Sequence, residues 1–163
     1  MVILGIDPGT ATTGWGVIKK PKNKKGKLKV VDYGIITTKP ELATGERLKI
    51  LNNNLNRIIK RYNPDALAVE SLYFFKNLKT AMPVSQAKGV VLLTAAKKNI
   101  PVYEFTPLQV KMAVVGYGRA EKKQVQEMVK IILGLKETPK KDDAADALGI
   151  ALCCILKLKN LTS

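Results

Sequence analysis

Hydrophobic positions at the start of the chain fall into short runs separated by turn residues. These runs predict three strands over residues 2–7, 14–20 and 28–38. The connections between them are short, which favours an antiparallel meander. The first run, VILGID, ends at an acid followed by Pro-Gly, as expected for a buried strand that stops at a turn.

From Leu42 onward the apolar positions recur every three or four residues, which predicts an amphipathic helix that stops at Asn63-Pro64. We expect Pro83 to lie in the first turn of a second helix, because a proline deeper inside would break the backbone hydrogen bonding. The remaining pattern predicts, in order, a strand over 66–70, that second helix within 77–99, a strand over 100–105, and helices over 107–115, 121–133 and 141–158.

The alternation of strands and helices in the later part of the chain favours parallel pairing around the first strand. The pattern therefore predicts an α/β fold with a five-stranded mixed sheet flanked by helices. No internal repeat or linker divides the chain, so we expect a single domain over residues 1–163.

A large excess of basic residues changes the range of possible functions. The formal net charge is +15, and only 13 residues are acidic. Such an excess predicts a polyanionic partner, either nucleic acid or a membrane surface. Lysine enrichment of the kind found in heat-adapted proteins is the alternative, but it usually brings glutamate with it. We therefore expect a nucleic-acid partner.

The sequence predicts no membrane partner and a cytoplasmic protein. No apolar run reaches the roughly 18–20 residues that span a bilayer. The first residues, MVILGIDPGT, lack the features of a signal peptide. The adjacent Cys153 and Cys154 are interpreted as core thiols in a reducing compartment. The absence of histidine excludes Ser-His-Asp chemistry and histidine-ligated zinc.

Two acids stand at the ends of predicted strands. Asp7 ends the first strand, and Glu70 ends the strand over residues 66–70. The carboxyl ends of strands in open α/β sheets form the edge where ligands bind. A strand-end acid alone is more often a turn or helix-capping residue, so each of these two acids needs support from its neighbours.

Two further acids, Asp143 and Asp146, share one face of the last predicted helix at a spacing of three residues. Asp142 also shares that face at a spacing of four, so helical geometry does not separate Asp142 from Asp143; Asp142 is interpreted as a capping residue. Oxygen ligands without histidine or cysteine favour Mg²⁺ or Mn²⁺. Such a cluster can hold two ions and hydrolyse a phosphodiester.

Five segments together resemble the RuvC-type Holliday junction resolvases of bacteria. They are GIDPGTATTGWGVI at 5–18, AVESLYFFKN at 68–77, SQAKGV at 85–90, VKMAVVGYGRAEKKQVQ at 110–126 and DAADALGIAL at 143–152. The resemblance implies a ribonuclease H-like fold and a homodimer that nicks two opposed strands of a four-way DNA junction, leaving 5′-phosphate and 3′-hydroxyl ends, in recombination and repair. It also suggests a branch-migration helicase partner.

The resemblance assigns residues to roles. It implies that the catalytic metal ligands are Asp7, Glu70, Asp143 and Asp146, which selects Asp143 over Asp142. Lys111 and Lys122 match two lysines near the scissile phosphate, with Lys123 as an adjacent alternative. Tyr73 matches an aromatic residue that stacks on an unpaired base. The wider set of candidate DNA-binding residues comprises Tyr73, Phe74, Phe75, Lys76, Lys79, Lys88, Arg119 and Lys123.

Two features depart from the family pattern. Pro83 falls where relatives continue the second helix, so this helix is expected to start later or to bend, which puts the edge of the implied dimer interface in doubt. Gln86, Lys88 and Gly89 on the same helix still match. The second departure is the lysine-rich turn 21–27, interpreted as a solvated hairpin with DNA contact as the alternative.

Three other functions remain open from the sequence. A ribonuclease H-like enzyme acting on structured RNA would share the fold and the acids. An ATPase of the actin and sugar-kinase kind would share the first loop, but it needs two such domains. A junction-binding module without catalysis would need no metal.

Overall fold

The computed structural model describes residues 1–21, 23, 26–71 and 78–161. The strands are β1 (Val2–Asp7), β2 (Thr12–Lys19), β3 (Lys29–Thr37), β4 (Ala66–Glu70) and β5 (Val102–Phe105). The helices are α1 (Thr44–Tyr62), α2 (Leu78–Ala96), α3 (Pro107–Val114), α4 (Lys122–Leu133) and α5 (Asp142–Leu161).

The strands form one sheet in the order β3-β2-β1-β4-β5. β1, β2 and β3 pair antiparallel, whereas β4 pairs parallel with both β1 and β5. The predicted meander, the parallel pairing around β1 and the five-stranded mixed sheet are confirmed. β5 begins two residues later than predicted, because the backbone first turns at Asn99 (φ 54°) and Ile100 N–H donates to Ala95 C=O.

Helices cover both faces of the sheet, and the alternation of side chains along the strands distributes the core between them. On β1, Ile3 packs with the α5 cluster that includes Leu148 and Leu152. The next residue, Leu4, packs on the opposite face with Leu51 of α1. The odd-numbered positions of β1 therefore face α5, which determines the side on which Asp7 emerges.

The structure bears on the predictions for the cysteines and for membrane-spanning helices. Cys153 and Cys154 are free thiols and fully buried in α5, as predicted for core residues. None of the helices in the described part of the chain combines the length and apolar character needed to cross a bilayer.

The prediction that Pro83 lies in the first turn of its helix is wrong. α2 begins at Leu78, so Pro83 is its sixth residue. The helix therefore does not start after the proline, and it continues through a position that cannot donate a backbone hydrogen bond. The carbonyl of Pro83 accepts a hydrogen bond from Thr10 Oγ1 at 2.7 Å, which ties this turn to the β1–β2 loop.

Candidate active site

The carboxyl ends of β1 and β4 place two acids side by side. Ile6 of β1 pairs with Val69 of β4, so Asp7 and Glu70 are the next residues of adjacent parallel strands. Ala66 and Ala68 pack in the α5 cluster, and Glu70 continues that alternation. Both acids consequently project from the sheet on the side covered by α5.

Glycines on the sheet allow α5 to approach closely enough to complete the cluster. Gly14 of β2 pairs with Asp7, and a Cβ atom there would lie 1.9 Å from the carbonyl oxygen of Asp143. A Cβ atom on Gly5 would lie 2.1 Å from the carbonyl oxygen of Ala147. The start of α5 therefore packs directly on β1 and β2, with Asp143 beside the end of β1.

The acids of this cluster repel one another. Burial raises the pKa of Asp7 to about 7, and the charges of Glu70, Asp146 and Asp143 add to the rise. Burial also raises the pKa of Glu70, with a further contribution from Asp146. The pKa of Asp146 is raised by burial even though Lys122 acts in the opposite direction. The site therefore concentrates negative charge in a poorly solvated place.

Lys122 is a cation in contact with this cluster. Its Nζ lies 2.9 Å from Asp146 Oδ2 and 3.4 Å from Asp142 Oδ2. Partial burial lowers the pKa of Lys122, but its contacts with Asp146 and Asp142 outweigh that effect and raise it. Lys122 thus neutralises part of the charge of the acids.

A cavity of about 220 Å³ opens at this cluster. Its lining includes Glu70, Asp146, Lys111 and Lys122, four of the six residues predicted to be catalytic. Asp143 lines a neighbouring cleft together with the β1–β2 loop. The acids and the two lysines therefore meet at one edge of the sheet, although Asp143 and Asp146 of α5 line different openings.

The chemistry of the donors fits a hard divalent cation. All four acids carry carboxylate oxygens, the donors that such a cation prefers. Burial, and then the charges of the neighbouring acids, raise the pKa of Asp7, and a bound cation would oppose both effects. Within the described part of the chain, however, no three acids converge closely enough to ligate one ion as their side chains stand. Oδ2 of Asp146 contacts Lys122 at 2.9 Å, so this oxygen already has a cationic partner.

A family model described as crossover junction endodeoxyribonuclease RuvC matches residues 3–154. The chain belongs to the RuvC family. A curated RuvC from Alkaliphilus metalliredigens is 56% identical over 153 residues, covering 94% of this chain and 92% of that protein. The RuvC of Halothermothrix orenii is 54% identical over 153 residues, with coverage of 94% and 91%. The predicted family and its activity as a crossover junction endodeoxyribonuclease are confirmed.

Solved structures agree with this assignment. Thermus thermophilus RuvC is 36% identical with a TM-score of 0.91, covering 99% of this chain and 98% of that one. The T. thermophilus RuvC complex with a Holliday junction substrate gives a TM-score of 0.92 at 36% identity, with coverage of 99% and 97%. The yeast mitochondrial Holliday junction resolvase Ydc2 shares the fold at 16% identity and a TM-score of 0.69, covering 98% of this chain and 81% of that one. The ribonuclease H-like fold class is thereby confirmed.

The predicted DNA-binding residues of this RuvC family member fall into three groups. Arg119 and Lys123 are exposed near the start of α4. Lys88 forms an ion pair with Glu104 and is mostly covered, so its charge already has a protein partner. Outside the described residues or side chains lie Tyr73, Phe74, Phe75, Lys76 and Lys79. The contacts proposed for all these residues with DNA stay predictions.

The lysine-rich turn lies only partly within the described residues. Lys22, Lys24 and Lys25 fall outside them, so its solvated-hairpin interpretation stays a prediction.

The sequence did not predict that Asp142 and Gln126 contact the site through Lys122 and through each other. The capping role predicted for Asp142 stays a prediction. In the structure its carboxylate contacts Lys122 and accepts a hydrogen bond from Gln126 Nε2 at 3.3 Å. The hydrogen bond from Gln126 and then the charge of Lys122 lower the pKa of Asp142. The only signal in the sequence was the i, i+4 spacing of Asp142 and Asp146, because the docking of α4 against α5 is a tertiary contact.

Proposed function

We propose that this chain resolves four-way DNA junctions by magnesium-dependent hydrolysis of phosphodiesters, with two Mg²⁺ per active site and Mn²⁺ as a substitute. The active site lies in one nuclease domain over residues 1–163. Cleavage leaves 5′-phosphate and 3′-hydroxyl ends on the DNA. The observation that carries the proposal is the gathering of acids from β1, β4 and α5 at one edge of the sheet, where burial and mutual repulsion raise the pKa of Asp7 to about 7.

The four acids are proposed to hold the cations. Asp7 and Glu70 come from adjacent strand ends, and Asp143 and Asp146 come from the first turns of α5. Bound divalent cations would supply an activated water and stabilise the leaving oxygen. Asp143 is preferred to Asp142 as a ligand because its charge contributes to the raised pKa of Asp7, whereas Asp142 faces Lys122 and Gln126.

Lys111 and Lys122 are proposed to hold the scissile phosphate. Both line the cavity beside Glu70 and Asp146, so their ammonium groups can reach a phosphate placed there. A positive charge at this position also stabilises the negative charge that develops on the phosphoryl oxygens in the transition state. Lys122 can contact the phosphate once its ion pair with Asp146 is weakened or broken.

A homodimer is proposed to deliver the two opposed nicks, because the described part of one chain gathers these four acids at a single edge of the sheet. α2 supports this proposal with two large apolar side chains exposed on one face. Met82 and Leu93 expose 68% and 55% of their surface, and Gly89 between them has open space at its Cβ position. Exposed apolar residues that share a helix face are typical of an interaction surface.

The junction is proposed to bind through charge and stacking. The net charge of +15 suits a phosphate backbone, and Arg119 and Lys123 are exposed near the cavity. The aromatic segment with Tyr73, Phe74 and Phe75 follows Glu70 in the sequence, where unpaired bases at a junction centre could stack on it. Recombination and repair in the cytoplasm, with a branch-migration helicase as partner, complete the proposal.

Cleavage of three substrates tests the proposed function. We expect preference for a four-way junction over a linear duplex and an RNA hairpin. Asp7→Asn and Glu70→Gln should abolish cleavage while junction binding persists, and binding should weaken as salt rises because phosphate contacts release counterions. Glu41→Gln, which changes an exposed acid away from the site, is the matched control. Normal cleavage by Asp7→Asn, or equal cleavage of all substrates, would refute the proposal.

A further inference from the structure

Both carboxylate oxygens of Asp142 contact α4. Oδ1 accepts the hydrogen bond from Gln126 Nε2 at 3.3 Å, and Oδ2 lies 3.4 Å from Lys122 Nζ. Lys122 and Gln126 are four residues apart on α4 and therefore lie on the same side of that helix. One carboxylate of α5 thus spans a full turn of α4.

Lys122 in turn lies between two acids of α5. Asp142 and Asp146 are four residues apart, and the ammonium group contacts both of them. About half of the Lys122 side chain is exposed, at 53%. A lysine side chain at a helix start is long and strongly hydrated. It therefore extends into the solvent when no acidic side chain contacts its ammonium group.

We propose that Asp142 is a positioning residue that keeps Lys122 at the active site when Asp146 turns to bind a cation. The inference rests on the proposed function, in which Asp146 is a metal ligand. In the metal-free protein, Lys122 neutralises Asp146. When Asp146 changes partner, Asp142 retains the ammonium group beside the cavity, where it can contact the scissile phosphate.

A simple surface ion pair is the competing explanation, because exposed pairs contribute little. Two observations favour positioning. Gln126 donates a hydrogen bond to Oδ1 of Asp142 and so fixes the direction in which Oδ2 points. Lys122 also lines the same cavity as Glu70 and Asp146, so its place affects what binds there.

A double-mutant cycle tests the inference with Asp142→Asn, Lys122→Ala and the double variant. Mg²⁺ binding is measured by calorimetry without DNA, and junction cleavage is measured under single-turnover conditions. Asp142→Asn leaves Lys122 with Asp146 alone, so Lys122 competes better with the cation. We expect about two- to fivefold weaker Mg²⁺ binding and a similar fall in the cleavage rate constant, with junction affinity unchanged.

Both effects of Asp142→Asn should shrink in the Lys122→Ala background, and Asp142→Glu should restore part of the activity. The matched control is Glu127→Gln, which breaks another ion pair on α4, the one to Lys130. Equal effects of Asp142→Asn with and without Lys122 would overturn the inference, since they would reflect loss of charge alone. A wild-type protein that does not cleave junctions would refute the proposed function instead.

Discussion

Removing the charge of Asp7 should stabilise the metal-free protein. Burial and three neighbouring acids move the pKa of Asp7 from its ordinary 3.8 to about 7, which corresponds to about 4 kcal/mol. The folded protein keeps a proton that the unfolded chain releases between these two pH values. The penalty therefore grows as pH rises through this range and is complete above pH 7.

Asp7→Asn eliminates the penalty, so its free energy of unfolding in EDTA at pH 8 should exceed that of the wild type. Side-chain rotation and entry of water relieve part of the repulsion, and we expect a gain of about 2 kcal/mol. Urea denaturation followed by circular dichroism measures it. The gain at pH 5 should be less than about half of that at pH 8, because most of the penalty lies above pH 5.

Added Mg²⁺ should reverse the order of stability, because a cation that binds only the folded state stabilises the wild type and has lost a ligand in Asp7→Asn. Glu41→Gln, the exposed-acid control, should change little at either pH. An Asp7→Asn variant that is no more stable than the wild type in EDTA at pH 8 would refute the reasoning, as would a gain that does not depend on pH.

Two further predictions concern the packing of α5. Gly14→Ala should cost about 1–3 kcal/mol of stability and reduce cleavage, because its Cβ atom would collide with the Asp143 carbonyl. Gly45→Ala, whose Cβ atom meets open space, should leave cleavage unchanged. Equal unfolding free energies of the two variants in urea would contradict this prediction. Burial raises the pKa of Cys153 to about 11 and that of Cys154 to about 12. Neither thiol should therefore react with a thiol reagent at pH 8 until denaturant is added. Rapid labelling of the native protein would contradict this prediction.

Much of the site could be predicted from strand periodicity. An acid at the end of a buried run, as at Asp7 and Glu70, projects from a known edge of the sheet, and the period of two determines its face. The inward-facing apolar residues of α5 indicated that Asp146 lies near the core. These are local patterns, so the sequence carries them directly.

The remaining parts depend on how the elements dock. The contact between Lys122 and Asp142 joins two helices, and no spacing along the chain specifies it. The continuation of α2 through Pro83 shows the same limit, since tertiary contacts outweigh a local preference. The need for Gly14 likewise becomes visible only once Asp143 lies against it.

The acid cluster draws on both ends of the chain and on its middle, with β1 first and α5 last. During synthesis β1 and β4 leave the ribosome before α5. Asp7 and Glu70 are therefore present in the growing chain before Asp143 and Asp146. A chain that stops before Asp142 cannot complete the cluster. We therefore expect a product truncated before Asp142 to leave DNA uncut, although it carries all five strands of the sheet.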